Sequence, residues 1–152
     1  MHTTITYLPA AAGDAEILTD IAFQSKRHWN YPEAWIQLWT ESLTITPAYI
    51  QQNQVIKIIY ADQVVGFYSL EYNGEQLFID HFWILPSFIG HGLGKEAFAD
   101  LRHRCIARNE TIIKVESDPN ADGFYTRMGA TKTGIVNTLI EGRTLNIFQF
   151  HF

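Results

Sequence analysis

Apolar residues recur along this chain with two periods, and the change from one to the other marks out its elements. Alternation from Thr3 to Leu8 predicts a first strand. The spacing then turns helical, with Ile17, Leu18, Ile21, Ala22 and Trp29 on one stripe and Asp14 placed to cap it. Tyr31-Pro32 breaks that stripe, because a residue before proline is driven out of the helical region. Pro32 suits the first position of a second helix, whose stripe is Trp35, Ile36, Trp39 and Leu43. Thr46-Pro47 ends the helical section, with room for one more turn before Asn53.

Past Asn53 the period shortens to two. Gln54–Tyr60, Val64–Tyr72 and Gln76–Leu85 read as strands rich in Val, Ile, Phe and Tyr. Asp62-Gln63 turns between the first two, and Asn73-Gly74 is a two-residue hairpin signal between the next two. Connections this short force antiparallel pairing. A helix from about Gly92 to Arg108 buries Leu93, Ala97, Phe98, Leu101 and Cys105, with Lys95, Glu96, Arg102 and Arg104 off that face. Thr111–Glu116 then forms a short strand parallel to the one ending at Leu85, reached by a right-handed crossover. A compact helix follows, with Asp118 as cap, Pro119 first and Gly129 as its stop. Thr131–Ile140 and Arg143–Phe152 close the chain as a hairpin around Glu141-Gly142.

The order is β-α-α-β-β-β-α-β-α-β-β. It predicts an α/β chain with a mixed sheet, antiparallel at first and with one parallel step. No linker interrupts it, so residues 1–152 read as a single domain. The apolar last strand, Leu145–Phe152, suggests a covered edge or a homodimer contact, since bare hydrophobic edges aggregate.

With 152 residues, 47% of them apolar, the chain is large enough for a real core. A net charge of −5 argues against a surface that coats nucleic acid and is compatible with an amine substrate. Cys105 is the only cysteine, which excludes a disulfide framework and a thiolate zinc cluster; on a helical stripe it reads as packing. No targeting segment or membrane-length apolar run is present, so the expected location is cytoplasmic, away from membranes.

Chemistry concentrates in two segments. In Ile84-Leu85-Pro86-Ser87-Phe88-Ile89-Gly90-His91-Gly92-Leu93-Gly94 a strand passes through a glycine turn into a helix. Glycines at alternate positions let backbone N–H groups converge on an oxyanion, and the helix dipole adds positive potential. The second segment, Ser117 to Ala130, places Ala121, Phe124, Tyr125 and Met128 on one helical face. Packing accounts for most of that stripe, but Tyr125 carries a phenol that needs a partner if buried.

These two motifs, in this order and on these elements, resemble the GNAT superfamily of acyl-CoA-dependent N-acyltransferases. Gly90-His91-Gly92-Leu93-Gly94 is similar to that family's pyrophosphate loop, and Asn120-Ala121-x-x-Phe124-Tyr125-x-x-x-Gly129 to its later motif. The resemblance implies an acetyltransferase using acetyl-CoA, with no metal. Backbone amides of Gly90, His91, Gly92, Leu93, Gly94 and Lys95 would bind the pyrophosphate. Trp83, Ile84 and Leu85 would pair with the pantetheine arm, Asn120 would hydrogen-bond it and Phe124 would pack on it. Tyr125 would give its proton to the departing thiolate. Ile89 stands where the family usually has Arg or Gln, which weakens phosphate or loop contacts without removing the backbone cradle; His91 or Lys95 can supply the missing charge.

The family's expected route is direct attack of a primary amine, carried by a small molecule or peptide, on the thioester. A backbone N–H near the end of Trp83–Leu85 can polarise the carbonyl. A phenol's ordinary pKa near 10 suits protonation of a thiolate. The base stays open among Asp80, His81, Glu71 and a water-relayed group; Asp80 and His81 face opposite sides of their strand. Ser25-Lys26-Arg27-His28-Trp29-Asn30-Tyr31-Pro32 resembles a run in small bacterial acetyltransferases of unassigned substrate. It reads equally as an acceptor wall, through Lys26, His28, Trp29 and Tyr31, or as a packed corner. The alternative to an enzyme is a non-catalytic acyl-CoA-binding or sensory module. No Lys-Ser or Lys-Thr follows the glycines, which argues against a P-loop, and the antiparallel first half argues against a dinucleotide fold.

Overall fold

The computed structural model describes residues 4–152; Thr3, at the start of the predicted first strand, lies outside them. Strand β1 (Thr6–Pro9) pairs antiparallel with β2 (Gln54–Tyr60), Thr6 opposite Ile59 and Pro9 opposite Ile56. Between them run α1 (Ala15–Arg27), α2 (Glu33–Leu38), α3 (Thr40–Leu43) and α4 (Pro47–Gln52). Helix α1 buries Leu18, Ile21, Ala22 and Ser25. Two residues of its predicted stripe are corrected: Ile17 and Trp29 are each 43% exposed. Trp29 lies beyond the last helical residue, so helical phase no longer governs where it points. Asp14 does not cap α1 with its side chain. It already has helical backbone angles after a short 3-10 turn, so its carboxylate reaches back to the Ala11 N–H at 2.8 Å and to Lys57 at 3.1 Å.

The second predicted helix is broken at Trp39, where the backbone leaves the helical region (φ −90°, ψ 2°). Ile36, Trp39 and Leu43 are nonetheless buried as expected. The extra turn before Asn53 is α4, capped by the Thr46 side chain on the Tyr49 N–H at 3.0 Å, with Pro47 at its first position.

Tight turns join β2, β3 (Gln63–Asn73) and β4 (Gln76–Ile84). Both turns lie one residue from the predicted place. The first uses Ala61 and Asp62, both left-handed at φ 52° and 62°, and the second begins at Gly74 with φ 62°. Helix α5 (Leu93–Ala107) buries the predicted Leu93, Ala97, Phe98, Leu101 and Cys105. It leads to β5 (Ile112–Ser117), which pairs parallel with β4. Helix α6 (Asp122–Arg127), β6 (Thr131–Asn137) and β7 (Thr144–His151) complete the chain.

The sheet has seven strands in the order β1-β2-β3-β4-β5-β7-β6. The last strand is therefore not an edge. It pairs with β5 from Ile112↔His151 to Ser117↔Asn146 and with β6 on its other side. Its apolar residues answer to the interior of the sheet, and the edge is β6, bulged between Lys132 and Gly134.

The chain forms two compact units, one holding the residues through Ser69 together with His81–Ala97, the other Leu70–Asp80 with Phe98–Phe152. In the first, Ile58, Val65, Leu93 and Ala97 make a buried cluster with Tyr7, Tyr60, Phe82, Ile84 and Phe88 packed on it. In the second, Phe98, Phe124, Phe150 and Phe152 contact one another ring to ring.

Candidate active site

The glycine loop belongs to the first unit. After β4 the chain makes a 3-10 turn at Pro86–Phe88, with the Phe88 N–H on Leu85 O at 2.9 Å, and returns to extended backbone at Ile89. Gly90 (φ 92°) and Gly92 (φ 76°) then adopt left-handed angles, each with open space where a Cβ would sit. Conformation, not crowding, demands glycine here. The first α5 ladder bond runs from the Glu96 N–H to Gly92 O at 3.3 Å. The N–H groups of Leu93, Gly94 and Lys95 come before it, at the positive end of the helix. Buried Leu93 and Ala97 anchor the helix start, while Ile89, Gly90, His91, Gly92 and Lys95 are exposed. The His91 ring lies 6.4 Å from Tyr60 and 6.1 Å from Phe88, and Tyr60 and Phe88 meet edge to face at 5.9 Å. Tyr60 had no place in the sequence reading; its only signal was an aromatic at a strand end.

The β4–β5 ladder runs from Leu77↔Ile113 to Ile79↔Val115, while β4 itself continues to Ile84. The Leu85 N–H donates to Val65 O at 2.7 Å. That commits Leu85 toward β3, and alternation turns the Ile84 N–H to the opposite edge. The Ile84 carbonyl accepts from Ser25 Oγ at 3.4 Å. Gly66 fits closely against this segment, since a Cβ there would run into the Trp83 carbonyl oxygen.

His81 is buried. Its backbone N–H donates to Ser69 Oγ at 3.1 Å, and Ser69 Oγ lies 2.7 Å from the Tyr49 hydroxyl. Its Nδ1 accepts the Trp83 Nε1–H at 2.9 Å, which leaves the ring proton on Nε2. A proton-accepting lone pair is thereby already spent on orienting Trp83.

Lys26, at the end of α1, lies among rings. Its Nζ is 4.2 Å from the Trp39 centroid, 5.0 Å from Tyr31 and 6.0 Å from Trp83. Tyr31 and Trp39 meet edge to face at 5.0 Å, and Trp35 packs 6.0 Å from Trp39. The structure thus joins Lys26 and Tyr31 with Trp39 and Trp83. His28 and Trp29 pair with each other at 4.8 Å, and Arg27 pairs with Glu33 at 3.0 Å.

In the second unit, the Asp118 carboxylate accepts from the Asn120 backbone N–H at 2.9 Å and from Asn120 Nδ2 at 3.0 Å. Arg143 approaches the same carboxylate at 3.5 Å. Tyr125 is 5% exposed, against Phe124 (5.4 Å) and Phe150 (6.1 Å). Burial, then the charge of Asp118, push its hydroxyl above the ordinary tyrosine range, so it stays protonated. Asn146 Nδ2 donates to Asp122 Oδ2 at 2.8 Å, tying α6 to β7. Glu71 and Asp80 share a hydrogen bond across β3 and β4. Desolvation, then that bond and the Asp80 charge, raise the Glu71 carboxyl to about 7. Burial raises the Cys105 thiol to about 11, in keeping with a packing role. Among the described residues no cluster of His, Cys, Asp or Glu can hold a metal ion, and no helix is long and apolar enough to cross a membrane.

The sequence profile of the acetyltransferase (GNAT) domain matches residues 18–137. The chain belongs to the GNAT acetyltransferase family. Solved GNAT structures share its fold. The PaiA N-acetyltransferase of Thermoplasma acidophilum, in complex with coenzyme A, superposes with a TM-score of 0.80 at 14% identity, over 98% of this chain and 99% of that one. A GCN5-related N-acetyltransferase from Rhodopseudomonas palustris gives 0.81 at 19% identity, over 100% and 99%. A GNAT acetyltransferase from Elizabethkingia anophelis with acetyl-CoA bound gives 0.70 at 16%, over 97% and 98%. No curated protein matches the sequence significantly. The mixed sheet and helix order expected from the residues are those of a GNAT acetyltransferase.

Proposed function

We propose that this GNAT acetyltransferase, acting as one domain over residues 1–152, transfers an acetyl group from acetyl-CoA to a primary amine of a small molecule or peptide by direct attack. The observation that carries the reading is the loop from Ile89 to Lys95. Two left-handed glycines there precede the free N–H end of a 15-residue helix, a geometry suited to a diphosphate. Acetyl-CoA supplies an activated thioester; the chain supplies position and protons.

In this reading the amides of Gly90 through Lys95 hold the diphosphate, with His91 or Lys95 in place of the cation missing at Ile89. The Trp83–Leu85 segment holds the pantetheine arm, assisted by Asn120 and Phe124. The Ile84 N–H is the donor to the thioester carbonyl, because the Leu85 N–H is already bonded to Val65. Tyr125, kept protonated by burial, gives its proton to the thiolate. The Glu71–Asp80 pair suits the base better than His81, whose Nδ1 serves Trp83.

The test is thiol release from acetyl-CoA across a panel of amines, with coenzyme binding measured separately by calorimetry. Tyr125→Phe is expected to cut kcat by about 10²-fold or more while leaving Kd for the coenzyme within about twofold. An unchanged rate at every pH would remove Tyr125 from its role. Ile89 favours a second reading, a module that binds acyl-CoA without turnover. Tight binding with no thiol release on any amine would establish that one instead.

A further inference from the structure

We propose that Gly66 and Ser25 are positioning residues for acetyl transfer: from two sides they aim the Ile84 N–H at the thioester carbonyl. The inference rests on the acetyl-transfer reading above, which gives that N–H its role as donor. A lone donor stabilises an oxyanion only when aimed along its own axis, so whatever fixes this peptide governs the rate.

The Trp83 carbonyl and the Ile84 N–H belong to one planar trans peptide, so they point in opposite directions. The carbonyl end lies on Gly66 of β3. Gly66 is buried and is not among the glycines with positive φ, so space and not conformation demands glycine there. A Cβ would run into the Trp83 oxygen, and it would come within 3.1 Å of Ile84 Cδ1 and 3.2 Å of Ile84 Cα. No side chain fits at 66 without turning the plane of this peptide, and the N–H turns with it.

Hydrogen bonds hold the same stretch from other directions. The next N–H, of Leu85, donates to the carbonyl of Val65, the neighbour of Gly66, at 2.7 Å. The Ile84 carbonyl accepts from Ser25 Oγ at 3.4 Å, and Ser25 is buried on α1. The Trp83 indole N–H donates to His81 Nδ1 at 2.9 Å. The donor peptide is thus restrained on both sides, with its N–H facing away from β3. Folding sets the donor's direction in advance, so no reorganisation is left for the moment of reaction. Misplacement of a reacting group by about 1 Å costs about 10²-fold in rate.

Three quantities are compared in the full-length wild type, Gly66→Ala and Ser25→Ala: thiol release on a fixed amine, coenzyme affinity, and the infrared stretch of bound acetyl-CoA labelled with carbon-13 at its acetyl carbonyl. Gly66→Ala is expected to cut kcat about 10²-fold, and Ser25→Ala about threefold to tenfold. Free coenzyme A has no acyl carbonyl, so its Kd by calorimetry is expected to stay within about twofold in both. The bound carbonyl is expected to stretch at lower frequency in the wild type than in either variant, because a well-aimed donor polarises it more. Circular dichroism checks each fold; if Gly66→Ala unfolds, Ser25→Ala, which removes one hydroxyl, decides alone. In a folded variant, a wild-type carbonyl frequency or a wild-type kcat overturns the proposal, as do kcat and coenzyme A affinity falling in step. Those results leave acetyl transfer standing; a wild-type chain that fails to bind acetyl-CoA removes both.

Discussion

Glu71 and Asp80 stand across from each other on β3 and β4, and their shared hydrogen bond gives one residue-level consequence for stability. Glu71 titrates near 7 in the folded chain against an ordinary value of 4.5. Below 4.5 both folded and unfolded chains hold the proton. Between 4.5 and about 7 the unfolded chain gives it up while the folded chain keeps it, so unfolding is favoured as pH rises through that window. Glu71→Gln removes this slope. Melting temperatures of the two proteins are expected to differ least at low pH and to separate in favour of the variant as pH rises from 4.5 to about 7, with no further divergence above it; curves parallel throughout would show that Glu71 titrates normally. The sequence placed Asp80, His81 and Glu71 together as candidates and went no further. Strand alternation says which residues share a face, but the bond from Trp83 to His81 Nδ1 depends on side-chain rotamers that no spacing encodes.

Among the elements, the glycine loop and α5 were the most legible. Every residue of the predicted α5 stripe is buried, because fifteen residues sample the helical period several times. The hairpin turns were found but misplaced by one residue. Ala61 takes a left-handed angle of 52°, and alanine gives no local signal for that conformation. The break at Trp39 was equally hidden, since α2 and α3 keep a continuous apolar stripe across it. The loop yields its own prediction. Gly92 has φ 76° with nothing near its Cβ position, so Gly92→Ala meets no clash and only the backbone penalty, about 1 kcal/mol. Relaxing the turn misdirects the N–H groups, and coenzyme affinity is expected to fall about fivefold to tenfold by calorimetry. Unaltered affinity would mean that these amides do not hold the diphosphate.

For the molecule as a whole, the order of strands was the feature least open to reading. Local sequence announces a hairpin of β6 and β7, but nothing in it says that β7 also takes the place beside β5. That pairing joins residues more than thirty positions apart, Ile113 with Phe150 and Val115 with Phe148. Cutting the chain after Arg143 deletes the strand that bonds both β5 and β6. Such a fragment is expected to lose its cooperative thermal transition, followed by circular dichroism; a sharp transition would show that the remaining strands suffice. The same arrangement imposes a timetable on synthesis. Thr131–Asn137 leaves the ribosome ahead of the one strand able to receive it, so this half of the sheet stays open during translation, its backbone exposed to chaperones or to stray neighbours, until Thr144–His151 arrives.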